Sequence, residues 1–280
     1  MPATPAPPAP RRVGLLLAAF AAATFGAVHF FPRVPQDPAY HDYADVRSCC
    51  GVPNTADVVS NAPFLVVGLL GLAACRRGGR ARFVDDRERA PWRTFFVGVT
   101  LTAFGSTWYH LAPTNASLAW DRLPMTVAFC GLVAALLAER FGPRVGTRAL
   151  APLLLFGAAS VAWWRFTESR GEGDLRWYGF VQFFPILFAP ALWASTRPRY
   201  DRLKDFGVAA LWYGAAKALE LGDRAVFEAL GGVVSGHTLK HLAAALACAA
   251  FVTHLVRRRP VAGGSPAETA VRTVAATSPR

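Results

Sequence analysis

Long apolar runs separated by short arginine-rich segments leave this chain few folds to adopt. A helix needs about 20 apolar residues to cross a hydrocarbon layer. Backbone polar groups inside that layer must be satisfied within the segment itself, which selects helices over open strands. Apolar runs read at 13–31, 57–75, 93–112, 119–138, 149–165, 177–195, 206–222 and 236–256. The expectation is an all-α integral membrane protein with eight spans. Residues 1–12 are Pro/Ala-rich and 257–280 are basic and rich in small residues, so both are expected to be disordered tails. Arg11 and Arg12 precede the first run, as in a signal peptide. The length of that run favours a retained anchor.

A net charge of +12 invites a nucleic-acid reading, which the placement of the charge excludes. With the N-terminus inside, 21 of the 30 Lys and Arg residues fall in inner segments and seven in outer ones. That bias orients the chain with both termini on the cytoplasmic side. Lys217 and Lys240 fall within spans. The five cysteines do not form a disulfide framework: Cys75, Cys130 and Cys248 lie in spans, and Cys49 and Cys50 are adjacent.

Ionisable groups inside spans are costly and default to a functional hypothesis. His110 ends the third run, Asp121 begins the fourth, and His237 and His241 begin the eighth, so all four are expected near the outer face. Residues i and i+4 lie one turn apart on one helix face, so His237 and His241 can grip one ion, with His110 as a third ligand. Three protein ligands leave a fourth position open, as in catalytic zinc sites. Ser106, one turn from His110, suits an oxyanion donor, and Asp121 a general base. Other readings stay open: histidines bonded to neighbouring carbonyls, haem ligation, Asp121 as a helix-start acid, and Ser106 bonded to its own helix. His29, His41 and His254 are assigned to the membrane interface. Lys217 and Glu220 read as a structural ion pair, and Asp223 as a residue that orients a metal ligand.

Three segments, Gly105-Ser106-Thr107-Trp108-Tyr109-His110, Trp120-Asp121-Arg122-Leu123-Pro124-Met125 and Ser235-Gly236-His237-Thr238-Leu239-Lys240-His241, together with Asn54–Asn61, resemble the alkaline ceramidase family. That family belongs to a superfamily with the progestin/adiponectin receptors and the GPI-lipid remodelling proteins. The resemblance spans roughly residues 40–256 and implies a seven-helix core, with 13–31 as one extra N-terminal transmembrane helix. It implies zinc on His110, His237 and His241, and hydrolysis of the amide bond of ceramide or a related N-acyl lipid, with Asp121 taking the proton of water and Ser106 stabilising the oxyanion. A lipid-remodelling hydrolase or acyltransferase and a zinc-containing sensor without turnover are the alternatives. The family's acidic calcium loop, D-W-x-E-x-N, corresponds to Asp42-Tyr43-Ala44-Asp45-Val46-Arg47. Asp42, Asp45 and Asp57 therefore form either a calcium site or an acidic site neutralised by Arg47. The Arg-, Ala- and Pro-rich usage points to a GC-rich bacterial genome and a plasma membrane.

Overall fold

In the computed structural model, which describes residues 10–261, every regular element is a helix. The helices are α1 (Pro10–Phe30), α2 (Thr55–Val59), α3 (Ala62–Cys75), α4 (Arg89–Leu111), α5 (Asn115–Phe141), α6 (Pro143–Glu168), α7 (Arg176–Ser195), α8 (Lys204–Leu221), α9 (Asp223–Ala229) and α10 (Gly236–Arg257). Among the described residues, six stretches are long and apolar enough to cross a membrane: α1, α2 with α3, α5, α6, α7 and α10. The expected spans in α4 and α8 are helical too, but their composition is more polar. α4 carries Arg89, Arg93, Ser106 and His110, and α8 carries Lys204, Asp205, Lys217 and Glu220. Much of that polarity is turned inward: Ser106 and His110 are buried, and Lys217 and Glu220 line an internal cavity.

The packing order follows the chain. α3 packs on α4, α4 on α5, and α5 on both α6 and α7; α10 closes on α8 and back on α3, while α1 rests on α7. The α4–α5 contact is closest where glycines face backbone. A Cβ on Gly98 would sit 2.3 Å from Ala128 N, and one on Gly105 would sit 2.1 Å from Trp120 O. That carbonyl lies four residues before Pro124, inside α5. Proline has no N–H to give it and crowds it sterically, so α5 turns the carbonyl toward the neighbouring glycine. Ser106 and Asp121 each follow one of these two contact residues.

The run expected over 57–75 is interrupted. α2 ends at Val59 and α3 begins at Ala62, because Pro63 at the start of α3 cannot continue the hydrogen-bond ladder. Ser60 Oγ and Asn61 Nδ2 instead donate to Asp57 O, at 3.0 and 2.8 Å.

At the end of the bundle away from Asp121 and His237, a buried polar network joins four segments. Glu139 on α5 accepts from Trp92 Nε1 at 3.2 Å and pairs with Arg258, which follows α10. Glu88 accepts from Tyr200 Oη at 2.5 Å and lies 3.5 Å from Arg258 Nη2. His254 sits between Glu139 and Asp205, at 3.6 and 3.7 Å, and is 2% exposed. That corrects its assignment to the interface: carboxylates from two other helices enclose it. Residues 257–261, expected in the C-terminal tail, remain ordered for the same reason, since Arg258 is fully buried. The tail residues 1–9 and 262–280 lie outside the described residues.

Candidate metal centre

Two helix ends bring the three histidines together. His110 comes from the last turn of α4, and His237 and His241 from the first two turns of α10. Ser235 caps α10, its side chain accepting from Thr238 N at 3.0 Å, which sets where the helix starts. Gly236 lets that start press against α8, since a Cβ there would meet Leu219 O at 2.4 Å. The three imidazoles are buried, and their candidate ligand atoms lie within 4.8 Å of one another. His110 Nε2 and His237 Nε2 are 3.3 Å apart, and the ring centroids are 4.9–5.0 Å apart. This group could hold a metal ion.

The surroundings orient the ligands. His241 Nδ1 lies 2.7 Å from Ser60 Oγ, the hydroxyl that donates to Asp57 O at the break between α2 and α3. With Nε2 as the ligand atom, Nδ1 is the protonated nitrogen and donates to Ser60. Asn54 Nδ2 donates to His110 O at 2.8 Å. The Tyr43 ring packs against His110 and His237, with centroids 4.9 and 4.6 Å away. Ser60, Asn54 and Tyr43 as neighbours of the centre were not anticipated from the sequence. The Asn54–Asn61 stretch stood out in the sequence, but its spacing does not reveal that Ser60 reaches His241.

Asp223 accepts from His237 N at 2.7 Å and from Ala44 N at 2.9 Å. It fixes the helix start and the preceding loop through backbone, and no contact to an imidazole is made. Ser106 is buried and Asp121 half-buried, and both line one cavity. Lys240 Nζ approaches His237 Nε2 at 2.9 Å and Glu220 Oε1 at 3.2 Å, and Glu220 also takes Lys217 at 2.5 Å. The Lys217–Glu220 pair expected along α8 is thus one half of a three-residue cluster beside the centre.

Asp42, Asp45 and Asp57 each have a partner of their own. Asp42 pairs with Arg224 at 3.2 Å on the surface. Asp45 is buried and accepts a two-pronged contact from Arg47, at 2.7 Å from Nε and 2.6 Å from Nη2. Arg47 also donates to Val233 O at 2.8 Å, and its hydrogen bonds hold the Asp45 carboxyl below the usual range. Asp57 is fully buried and accepts from Thr238 Oγ1 at 2.7 Å.

Ser106, Asp121 and His241 open into a cavity of about 830 Å³ that runs between α4, α5, α7, α8 and α10. Away from these residues it is walled by apolar side chains such as Phe95, Val99, Leu136, Phe184 and Phe251. The chain matches no family model, and no curated protein matches it.

Proposed function

We propose that the chain is a zinc-dependent intramembrane hydrolase that cleaves the amide bond of ceramide or a related N-acyl lipid. The observation that carries this reading is that His241, one of the three clustered histidines, lines the same largely apolar cavity as Ser106 and Asp121. The donor set suits zinc. Two nitrogens each about 2.0–2.1 Å from a tetrahedral ion lie about 3.3–3.4 Å apart, and His110 Nε2 and His237 Nε2 lie 3.3 Å apart. When bound, zinc supplies Lewis acidity toward a carbonyl and lowers the pKa of water to about 7.

The remaining chemistry belongs to the chain. The apolar cavity takes the acyl tail and so presents the amide to the polar end. Asp121 accepts the proton of the attacking water and returns it to the leaving amine. Ser106 Oγ–H steadies the Asp121 carboxylate and can turn to the carbonyl oxygen as that oxygen gains charge. Ser60 holds the His241 ring in orientation. In this reading α3–α8 and α10, with α2 prefixed to α3, form a seven-helix core, α1 is an additional span, both termini are cytoplasmic, and the centre faces the outer side of a bacterial plasma membrane.

Elemental analysis of the purified protein should give about one zinc per chain, lost on joint His237→Ala and His241→Ala substitution. Asp121→Asn should retain zinc and lower fatty-acid release from N-acyl lipids by about 10²–10⁴-fold, the usual contribution of a general base. Zinc-loaded protein that hydrolyses no amide or ester lipid would return the reading to a sensor. Full zinc retention in the double variant would end it.

A further inference from the structure

The polar end of the cavity holds an excess of positive charge. Besides Arg176, which is paired with Asp174, Arg122, Lys217 and Lys240 line it against Asp121 and Glu220. Glu220 serves both lysines, so one carboxylate balances two ammonium groups. Arg122 is the third cation and is only 5% exposed. Its Nη2 donates to Gln36 Oε1 at 2.7 Å, a neutral partner. The rings of Tyr40, Trp164 and Tyr178 surround its guanidinium carbon at 5.6, 4.2 and 4.8 Å. Its Nη1 is buried and has no hydrogen-bond partner among the described residues.

A buried cation without a carboxylate partner is costly, and an unmet N–H adds to the cost. The aromatic walls offset part of it through cation–π contact and hold the planar fork in one orientation. They cannot satisfy Nη1. A guanidinium fixed in this way matches the geometry of a carboxylate or phosphate.

We propose that Arg122 is the anchor of an anion-binding site in this cavity, with Lys217 and Lys240 adding to its field, and that the lipid amide taken here carries a carboxylate or phosphate on its amine side. The assignment to the amine side rests on the hydrolase reading: the apolar half of the cavity accommodates the acyl chain, so the groups next to Asp121 face what lies across the scissile bond. The anion site itself rests on the lining charges and on Arg122, which has no carboxylate partner among the described residues.

The test uses the full-length, zinc-loaded protein in detergent. Two non-hydrolysable ligands, N-hexadecylsulfonylglycine and N-hexadecylsulfonylethanolamine, differ in the presence of the anion. The wild type should bind the glycine compound about 10- to 100-fold more tightly, as expected for charge-assisted hydrogen bonds. Arg122→Gln should bring that ratio close to one, and Arg122→Lys should keep part of it. Equal or tighter binding of the neutral compound by the wild type overturns the proposal without need of any variant. A preference that survives in Arg122→Gln overturns the assignment to Arg122. Hydrolysis of N-oleoylglycine, N-oleoylphosphoethanolamine and neutral N-oleoylethanolamine is followed in parallel. A kcat/KM advantage for either anionic lipid supports the proposal, and the better of the two identifies carboxylate or phosphate. Equal kcat/KM for all three lipids overturns the substrate assignment and leaves the hydrolase reading standing. Anion-selective binding with no turnover of any lipid does the reverse.

Discussion

Ser60 shows how much of the centre rests on single contacts. Its hydroxyl is the partner of His241 Nδ1 and also donates to the Asp57 carbonyl at the break between α2 and α3. Ser60→Ala should leave all three ligands in place and weaken zinc binding by about 10- to 100-fold, the usual effect of removing such a partner; a competing chelator measures it. A second residue-scale expectation concerns Arg47. It already fills the Asp45 carboxylate with two parallel hydrogen bonds, which leaves that carboxylate little room for an ion that wants six to eight oxygens. Lipid hydrolysis should therefore be insensitive to calcium chelators too weak to strip zinc, and strong stimulation by added calcium would show that Arg47 yields its place. The three histidines, Asp121 and Ser106 were legible in the sequence because each sits near the end of an apolar run. Ser60 and Asn54 were not, since their roles depend on a helix break and on a loop folded under α4.

At the scale of elements, glycine contacts set how α4 and α5, which carry Ser106 and Asp121, pack together. Gly105→Ala would drive a Cβ to 2.1 Å from the Trp120 carbonyl, which is backbone and cannot step aside. α4 and α5 should separate, parting Ser106 from Asp121. Activity should fall far more than zinc content, since the histidines sit on α4 and α10; a proportional loss of both would place the effect on folding instead. The docking of α1 depends on a different contact. Arg176 at the start of α7 donates to the carbonyls of His29 and Phe31 while pairing with buried Asp174 at 2.8 Å. The Arg176 contacts hold the Asp174 carboxyl down to about 2. A depressed carboxylate stabilises the fold above its unfolded pKa, near 4, and that contribution fades as pH falls toward 2. Thermal melts in detergent should show the wild type exceeding Asp174→Asn by on the order of 1–2 kcal/mol at pH 7. The gap should close below pH 3; a gap that persists there would mean the carboxylate acts only through packing.

On the scale of the whole molecule, the two ends of the bundle differ in kind. The end bearing the histidines opens into the cavity. The opposite end is closed by Glu88, Glu139, Tyr200, His254 and Arg258, all buried and drawn from four segments. Removing one partner of such a network leaves charges stranded. Arg258→Met should destabilise the protein by about 3–5 kcal/mol in detergent melts, with no change in zinc stoichiometry of the folded fraction. Pairing the substitution with Glu139→Gln should recover part of the loss, because the remaining groups are then less charged.

The sequence by itself determined the helical class, most of the helix boundaries and the grouping of His110, His237 and His241. These follow from local physics: apolar length, helical period and the cost of charge in hydrocarbon. It did not determine that the run over 57–75 is broken, that His254 is buried between carboxylates, or which partners Asp42, Asp45 and Asp57 take. Nor did it reveal the cavity, or the buried Arg122 facing it with Nη1 unmet. These features depend on which helix face meets which neighbour, set by close glycine contacts and proline-freed carbonyls between segments far apart in the chain. Spacing along the chain records depth in the bundle; only the tertiary structure records azimuth around it.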